Sequence, residues 1–228
     1  MLLTATLPPL LEHELSEAML IPLATYIRAS TVRPSTRYSA QWCVPGKARE
    51  TALAVCGRQG ARLDGMKGVV YCRTKAQCED IAGELDCPYY HAGVVDREER
   101  LKWWLERGGF IVATSALGTG VDFPGIVFVL HVGLPYGMID YAQETGRAGR
   151  GGETVDSVIL LEDGEVERRA KTEAVSINRS AMAAFVMTTE CRRGVMSAYL
   201  DGKEATCAEI DCAACDRCGE GLVNWRSS

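Results

Sequence analysis

Gly68-Val69-Val70-Tyr71-Cys72 is a short, unbroken apolar run, and the spacing of the apolar residues after it sets the architecture. Cys78, Ile81, Ala82 and Leu85 recur at helical spacing, so a helix is predicted to pack back on the strand that the run forms. The same alternation continues downstream. Asp96 with Glu99 three residues on reads as a capping box, opening a helix with Leu101, Trp104 and Leu105 inward that stops at Gly108-Gly109. Phe110-Ile111-Val112-Ala113, Val127-Phe128-Val129-Leu130 and Val158-Ile159-Leu160-Leu161 are further continuous apolar runs, the pattern of strands covered on both faces of a parallel sheet. The expectation is an α/β fold with its functional loops at the carboxyl ends of the strands.

Outward from this stretch the pattern changes. On the amino-terminal side, Thr6 before Pro8-Pro9, then Leu11, Leu15 and Met19, suggests a capped helix, and residues 25–43 with Arg33-Pro34 read as an extended connection outside the core. After Asp163-Gly164 the chain turns helical and charged, with Met182, Phe185 and Val186, then Val195, Met196, Tyr199 and Leu200 as apolar stripes. The expected divisions are 1–45, 46–164 and 165–228.

Composition sets the class. The chain has 228 residues, 47% hydrophobic and 24% charged, as in a globular protein of roughly one or two domains. No apolar run approaches the ~18 residues of a membrane span, and Met1-Leu2-Leu3-Thr4 lacks the features of a signal peptide, so an intracellular protein with no membrane partner is expected. A net charge of -5 argues against a broad basic surface, so any contact with nucleic acid must come from local sites. Of ten cysteines, Cys43, Cys56, Cys72, Cys78 and Cys87 sit in apolar contexts and read as small buried hydrophobes. Cys191, Cys207, Cys212, Cys215 and Cys218 crowd together, and Cys-x2-Cys spacing in an intracellular chain reads as a metal site.

The strongest chemical signal is Gln143-Glu144-Thr145-Gly146-Arg147-Ala148-Gly149-Arg150, after a helical pattern that starts near Met138. A guanidinium is permanently charged and forks onto phosphate oxygens, so paired arginines beside a glycine turn suit a transferred phosphoryl group. Taken by spacing alone, a solvated basic turn explains them equally well. In Val112-Ala113-Thr114-Ser115-Ala116-Leu117-Gly118-Thr119-Gly120-Val121-Asp122, Gly118 and Gly120 allow close backbone approach, the hydroxyls of Thr114, Ser115 and Thr119 suit phosphates, and Asp122 suits a ribose. A plain glycine-bearing loop is the alternative. His13, His91 and His131 read as packing or turn residues, with no acid–base work.

Residues 143–150 resemble motif VI of the RecQ family of superfamily-two DNA helicases, whereas the related DEAD-box RNA helicases usually begin that element with His-Arg. In the same order, Val70-Tyr71-Cys72-Arg73-Thr74 resembles motif IV, Tyr90-His91-Ala92-Gly93 the next RecQ segment, residues 112–122 motif V, and Thr4-Ala5-Thr6 motif III. The resemblance implies a RecA-like parallel sheet with helices on both faces, followed by a small helical zinc-binding subdomain. It also implies an ATP-dependent 3′ to 5′ DNA helicase, nuclear in a eukaryote. Nucleotide contacts would fall to Gln143, Gly120, Asp122, Arg147 and Arg150, with Arg147 and Arg150 catalytic. Contacts to single-stranded DNA and the duplex junction would fall to Arg73, Thr74, His91, Ala92, Gly93, Thr114 and Ser115. Zinc would be held by Cys191, Cys215, Cys218 and either Cys207 or Cys212, with Cys207 favoured. The chain has no Gly-x4-Gly-Lys-Ser/Thr loop and no Asp-Glu-x-His box, so ATP with magnesium would be shared with a first lobe that this sequence lacks. That makes it a fragment, a truncated copy or a partner-dependent half, with a non-catalytic zinc-containing binding module as the competing expectation.

Overall fold

The computed structural model describes residues 4, 6–21, 23–117 and 123–219. Six strands form one parallel sheet: β1 (Thr36–Cys43), β2 (Lys67–Cys72), β3 (Tyr89–Tyr90), β4 (Gly109–Ala113), β5 (Ile126–Val132) and β6 (Val155–Glu162). Their order across the sheet is β1-β6-β5-β2-β4-β3. Alternation along each strand sends Val70, Val112, Leu130 and Leu160 to one face, beneath α2 (Ala48–Leu63) and α3 (Lys75–Leu85). Val69, Tyr71, Ile111 and Val129 face the other way, under α4 (Arg97–Arg107) and its fully buried Trp104. This is the α/β sheet, covered on both faces, that the apolar runs predict. The scattered cysteines all lie in or against the core under α2 and α3.

The tail is not a separate body. α5 (Met138–Thr145), α6 (Glu165–Thr172), α7 (Ile177–Met187) and α8 (Arg192–Asp201) share one apolar cluster with β1 and β6, centred on Tyr38, Tyr141, Ile159, Phe185 and Leu200. Each fully buried side chain of this size stabilises the packing by ~2 kcal/mol. The expected boundary after residue 164 therefore cuts through a continuous core.

Three local expectations are corrected. Residues 36–43, read as linker, are the edge strand β1, with Tyr38 only 2% exposed. The Asp96 side chain caps nothing and instead accepts the Arg100 Nε–H at 2.9 Å, because an ion pair one turn along competes for the same carboxylate. At the amino terminus, Pro8 precedes a 3-10 turn (Pro9–Leu11) and α1 (Glu12–Ala18), and Thr6 lies too far back to cap either. Among the described residues, no helix is long and apolar enough to cross a membrane.

Candidate functional site

The carboxyl ends of β2, β4 and β3, three neighbouring strands, gather the residues expected to meet DNA. Thr74 is exposed at the mouth of α3, where its Oγ1 accepts the Gln77 N–H at 3.1 Å. The Thr114 N–H donates to Tyr90 O at 3.1 Å, which ties the loop after β4 to the one after β3 and leaves Ser115 exposed. Ala92 and Gly93 are exposed as well. Two neighbours take a different part. His91 is 4% exposed, with Nε2 2.8 Å from Glu79 Oε1 and Nδ1 accepting the Gly93 N–H, so its ring shapes the turn from inside. Arg73 turns inward too, donating to Leu134 O and to Glu173 Oε1 while lying over the Tyr136 ring. The cation that remains beside Gly93 is Lys75, whose Nζ is 3.2 Å from where a Cβ at that glycine would sit. Sequence reading missed Lys75; the only signal was its place next to Thr74 at a helix start.

The turn that carries Arg150 lies at the opposite end of the sheet from these loops, beside Ile126 and Val155. A parallel sheet needs return helices, so α5 runs back against the strands and delivers Gly149 to the amino ends of β5 and β6. Asn178 on α7 accepts the Ile139 N–H at 2.9 Å and anchors the start of α5, and Met138, Tyr141 and Thr145 form its buried stripe. Gly149 then has φ +68° and donates its N–H to Ile126 O at 3.0 Å. A Cβ there would be 2.8 Å from Val155 Cγ2, so glycine is required on both counts. This fixes the turn that carries Arg150, which is exposed, after Arg147, which is half-buried. Gln143 Nε2 donates to Thr6 Oγ1 at 2.9 Å, tying the element to the amino-terminal segment. Gly120 and Asp122 lie outside the described residues. Leu117 and Phe123, on either side of them, are both buried in the cluster under α4.

A third constellation sits at the edge of the sheet. The Sγ atoms of Cys191, Cys207, Cys215 and Cys218 lie within 4.8 Å of one another, and those of Cys191 and Cys207 are 3.6 Å apart. Tetrahedral zinc with Zn–S bonds of ~2.3 Å needs sulfurs ~3.8 Å apart, so the four thiols fit a closed metal site. Cys212 is not in this group, and its Sγ faces Cys207 O at 3.9 Å. Two arginines after Cys191 fasten the cluster. Arg192, fully buried, donates to both Asp216 oxygens, Nε to Oδ1 at 2.6 Å and Nη2 to Oδ2 at 3.0 Å, and its Nη1 donates to Phe185 O. Arg193, 1% exposed, donates to the carbonyls of Arg33, Thr36 and Ala213. Asp216 in turn accepts the Ala40 N–H and donates its own N–H to Tyr38 O, so the cysteine loop covers the open edge of β1.

Comparison with known proteins finds helicases. The helicase conserved C-terminal domain matches residues 51–152. Over 95% of its length the chain is 28% identical to the ATP-dependent helicase SGS1 of Saccharomyces cerevisiae, of which it covers 16%. It is 28% identical to the ATP-dependent DNA helicase Q-like 2 of Arabidopsis thaliana over 95% of this chain and 32% of that one, and 28% identical to the ATP-dependent DNA helicase Q5 of Mus musculus over 95% and 25%. The chain thus spans about a third or less of these relatives. The solved structure of S. cerevisiae Dbp5 bound to RNA and ADP BeF3 superposes with a TM-score of 0.61 at 15% identity, covering 74% of this chain and 46% of that one, a likeness of fold. The chain thus carries a helicase conserved C-terminal domain over residues 51–152, on a fold like that of the Dbp5 structure, and over 95% of its length it is similar to ATP-dependent DNA helicases of the RecQ type.

Proposed function

We propose that this chain is the second-lobe half of an ATP-dependent DNA helicase motor and that Arg150 acts as its arginine finger. The observation that carries the reading is the turn at residues 146–152, where an exposed Arg150 comes after a glycine whose backbone is locked to β5. A charge held on a fixed turn needs no reorganisation when negative charge develops beside it. Arg147, half-buried behind it, supplies a second cation toward phosphate, with Gln143, Gly120 and Asp122 assigned to the rest of the nucleotide. ATP and magnesium belong to the cleft between lobes, where a first lobe would hold the phosphates and the metal.

At the other end of the sheet, Thr74, Ala92, Gly93, Thr114 and Ser115 present hydroxyls and close-approach backbone to a DNA backbone, with Arg73 and His91 shaping those loops from within. Zinc at Cys191, Cys207, Cys215 and Cys218 would hold the loop against β1, a structural role with no open position for chemistry. Translocation would run 3′ to 5′, as the family resemblance implies, in the nucleus if the source is eukaryotic.

The chain alone carries no phosphate loop, so it is expected to show no DNA-stimulated ATP turnover, and joining it to a compatible first lobe should create that turnover. Turnover by the isolated chain that vanishes in Arg150→Ala would overturn the two-lobe reading. DNA binding that persists while every joined form stays inactive would favour a non-catalytic zinc-containing binding module instead.

A further inference from the structure

Behind residues 143–150 lies a buried group for which the helicase reading has no use. Tyr71 on β2 and His131 on β5 are register partners, and their rings stack with centroids 4.9 Å apart at an interplanar angle of 17°. Both are buried, at 4% and 3% exposure. His131 Nε2 lies 2.8 Å from Glu144 Oε2, and the Glu144 side chain is itself only 13% exposed. Tyr141 closes the far side edge-on to His131 at 5.1 Å and is held by a hydrogen bond to Ser157 Oγ.

The ring has one tautomer that suits this place. Nδ1 is buried with no partner, so a proton there would be an orphaned donor, whereas a proton on Nε2 is given to the Glu144 carboxylate. Arg147 lies in the turn just after α5, three residues beyond Glu144, and its guanidinium meets the Tyr71 hydroxyl while its Nε is buried without a partner. A carboxylate and a guanidinium that both act on the Tyr71 hydroxyl are close enough to attract one another. Left to itself, Glu144 would pair with Arg147 across the end of α5 and neutralise it. His131 occupies Glu144, and Tyr71 receives Arg147.

We propose that His131 is a positioning residue for Arg147: stacked on Tyr71 and bonded to Glu144, it withholds that carboxylate from the arginine and so keeps the Arg147 charge available to phosphate. The inference rests on the phosphate-contacting reading of Arg147, but the positioning itself can be read in the chain alone. In nitrogen-15 spectra of the arginine side chains, Arg147 Nε–H should give a discrete signal, assigned by its loss in Arg147→Lys. In His131→Ala that signal should shift and broaden while the backbone spectrum away from α5 is retained. The decisive arm is rescue, because His131→Ala combined with Glu144→Gln removes the competing charge and should return the Arg147 signal to its original place. Joined to a first lobe, His131→Ala should lower turnover by ~10²-fold, the scale of a misplaced reacting group, with little change in KM for ATP, and Glu144→Gln should restore most of it.

An Arg147 signal unmoved in His131→Ala, or no rescue by Glu144→Gln, would overturn the proposal. Should His131→Ala fail to fold, His131→Gln, which keeps a donor toward Glu144, and His131→Phe, which keeps only the stacked ring, replace it: the first should retain the Arg147 signal and the second lose it, and the reverse order would refute the role. Turnover unaffected by Arg147→Ala would count against the phosphate reading, separately from the spectral arms.

Discussion

Replacing Asp216 with alanine removes the only carboxylate bonded to the fully buried guanidinium of Arg192 among the described residues. Stripping one partner from a buried ion pair costs ~3–5 kcal/mol, mostly for the charge left behind. The Asp216 side chain is 26% exposed, so water can enter the space it leaves, and the lower end applies, ~3 kcal/mol. For a chain of this length that is a fall in Tm of ~6–12 °C. Arg192→Met is a milder change. It strands the Phe185 and Val186 carbonyls, which Arg192 Nη1 now serves at the end of α7, but leaves a carboxylate that solvent can reach, so ~1–2 kcal/mol is expected. The double variant should then be more stable than Asp216→Ala alone, because it no longer buries an unpaired charge. Thermal unfolding monitored by circular dichroism, with zinc in excess and metal content checked for each variant, measures all three. A double variant as unstable as the sum of the two single changes, or an Asp216→Ala milder than Arg192→Met, would show that the buried charge is not what Asp216 answers.

Three further outcomes are expected. Metal analysis of chain purified without chelator should find one zinc per chain, which Cys207→Ser loses and Cys212→Ser keeps; because thiols must lose protons to bind metal, affinity should fall as pH falls. Chelation should raise amide exchange first in the cysteine loop and along β1, whose Ala40 N–H is held by Asp216, and exchange that rises uniformly instead would contradict the edge-covering role. Burial pushes the Cys56 thiol up to about 12, Cys87 up to about 12 and Cys78 up to about 11. Above the ordinary thiol pKa of ~8.5 the unfolded chain therefore releases protons that the folded chain keeps, so stability should decline as pH rises past that point. Denaturation midpoints flat between neutral pH and pH 10 would contradict it.

Much of the sheet was legible in the residues because a doubly covered parallel sheet writes itself as continuous apolar runs, as at residues 68–72, 110–113, 127–130 and 158–161. β1 was not legible, because an edge strand such as Thr36–Cys43 carries Arg37, Ser39 and Gln41 between its inward residues and lies next to Arg33-Pro34. α2 escaped because Gly57 and Gly60 interrupt its apolar stripe. At the site, residue types pointed to phosphate and metal chemistry, but place was not set by type. Burial of Arg192 and Arg193 depends on acceptors at Arg33, Thr36, Ala213 and Asp216, and no local pattern announces partners that distant. Likewise, the pairing of His131 with Glu144 comes from the return of α5 across β5, which spacing alone does not reveal.

Arg150 is assigned to answer the charge of a departing phosphoryl group held by another lobe, and ATP turnover, measured with saturating DNA on this chain joined to a compatible first lobe, puts that role to the test. Arg150→Ala should lower turnover by ~10³ or more with much weaker loss of nucleotide binding, and Arg150→Lys should stay well below wild type, since one ammonium cannot reproduce the guanidinium fork. Turnover near wild type in Arg150→Ala, with Arg147→Ala abolishing it, would contradict the assignment.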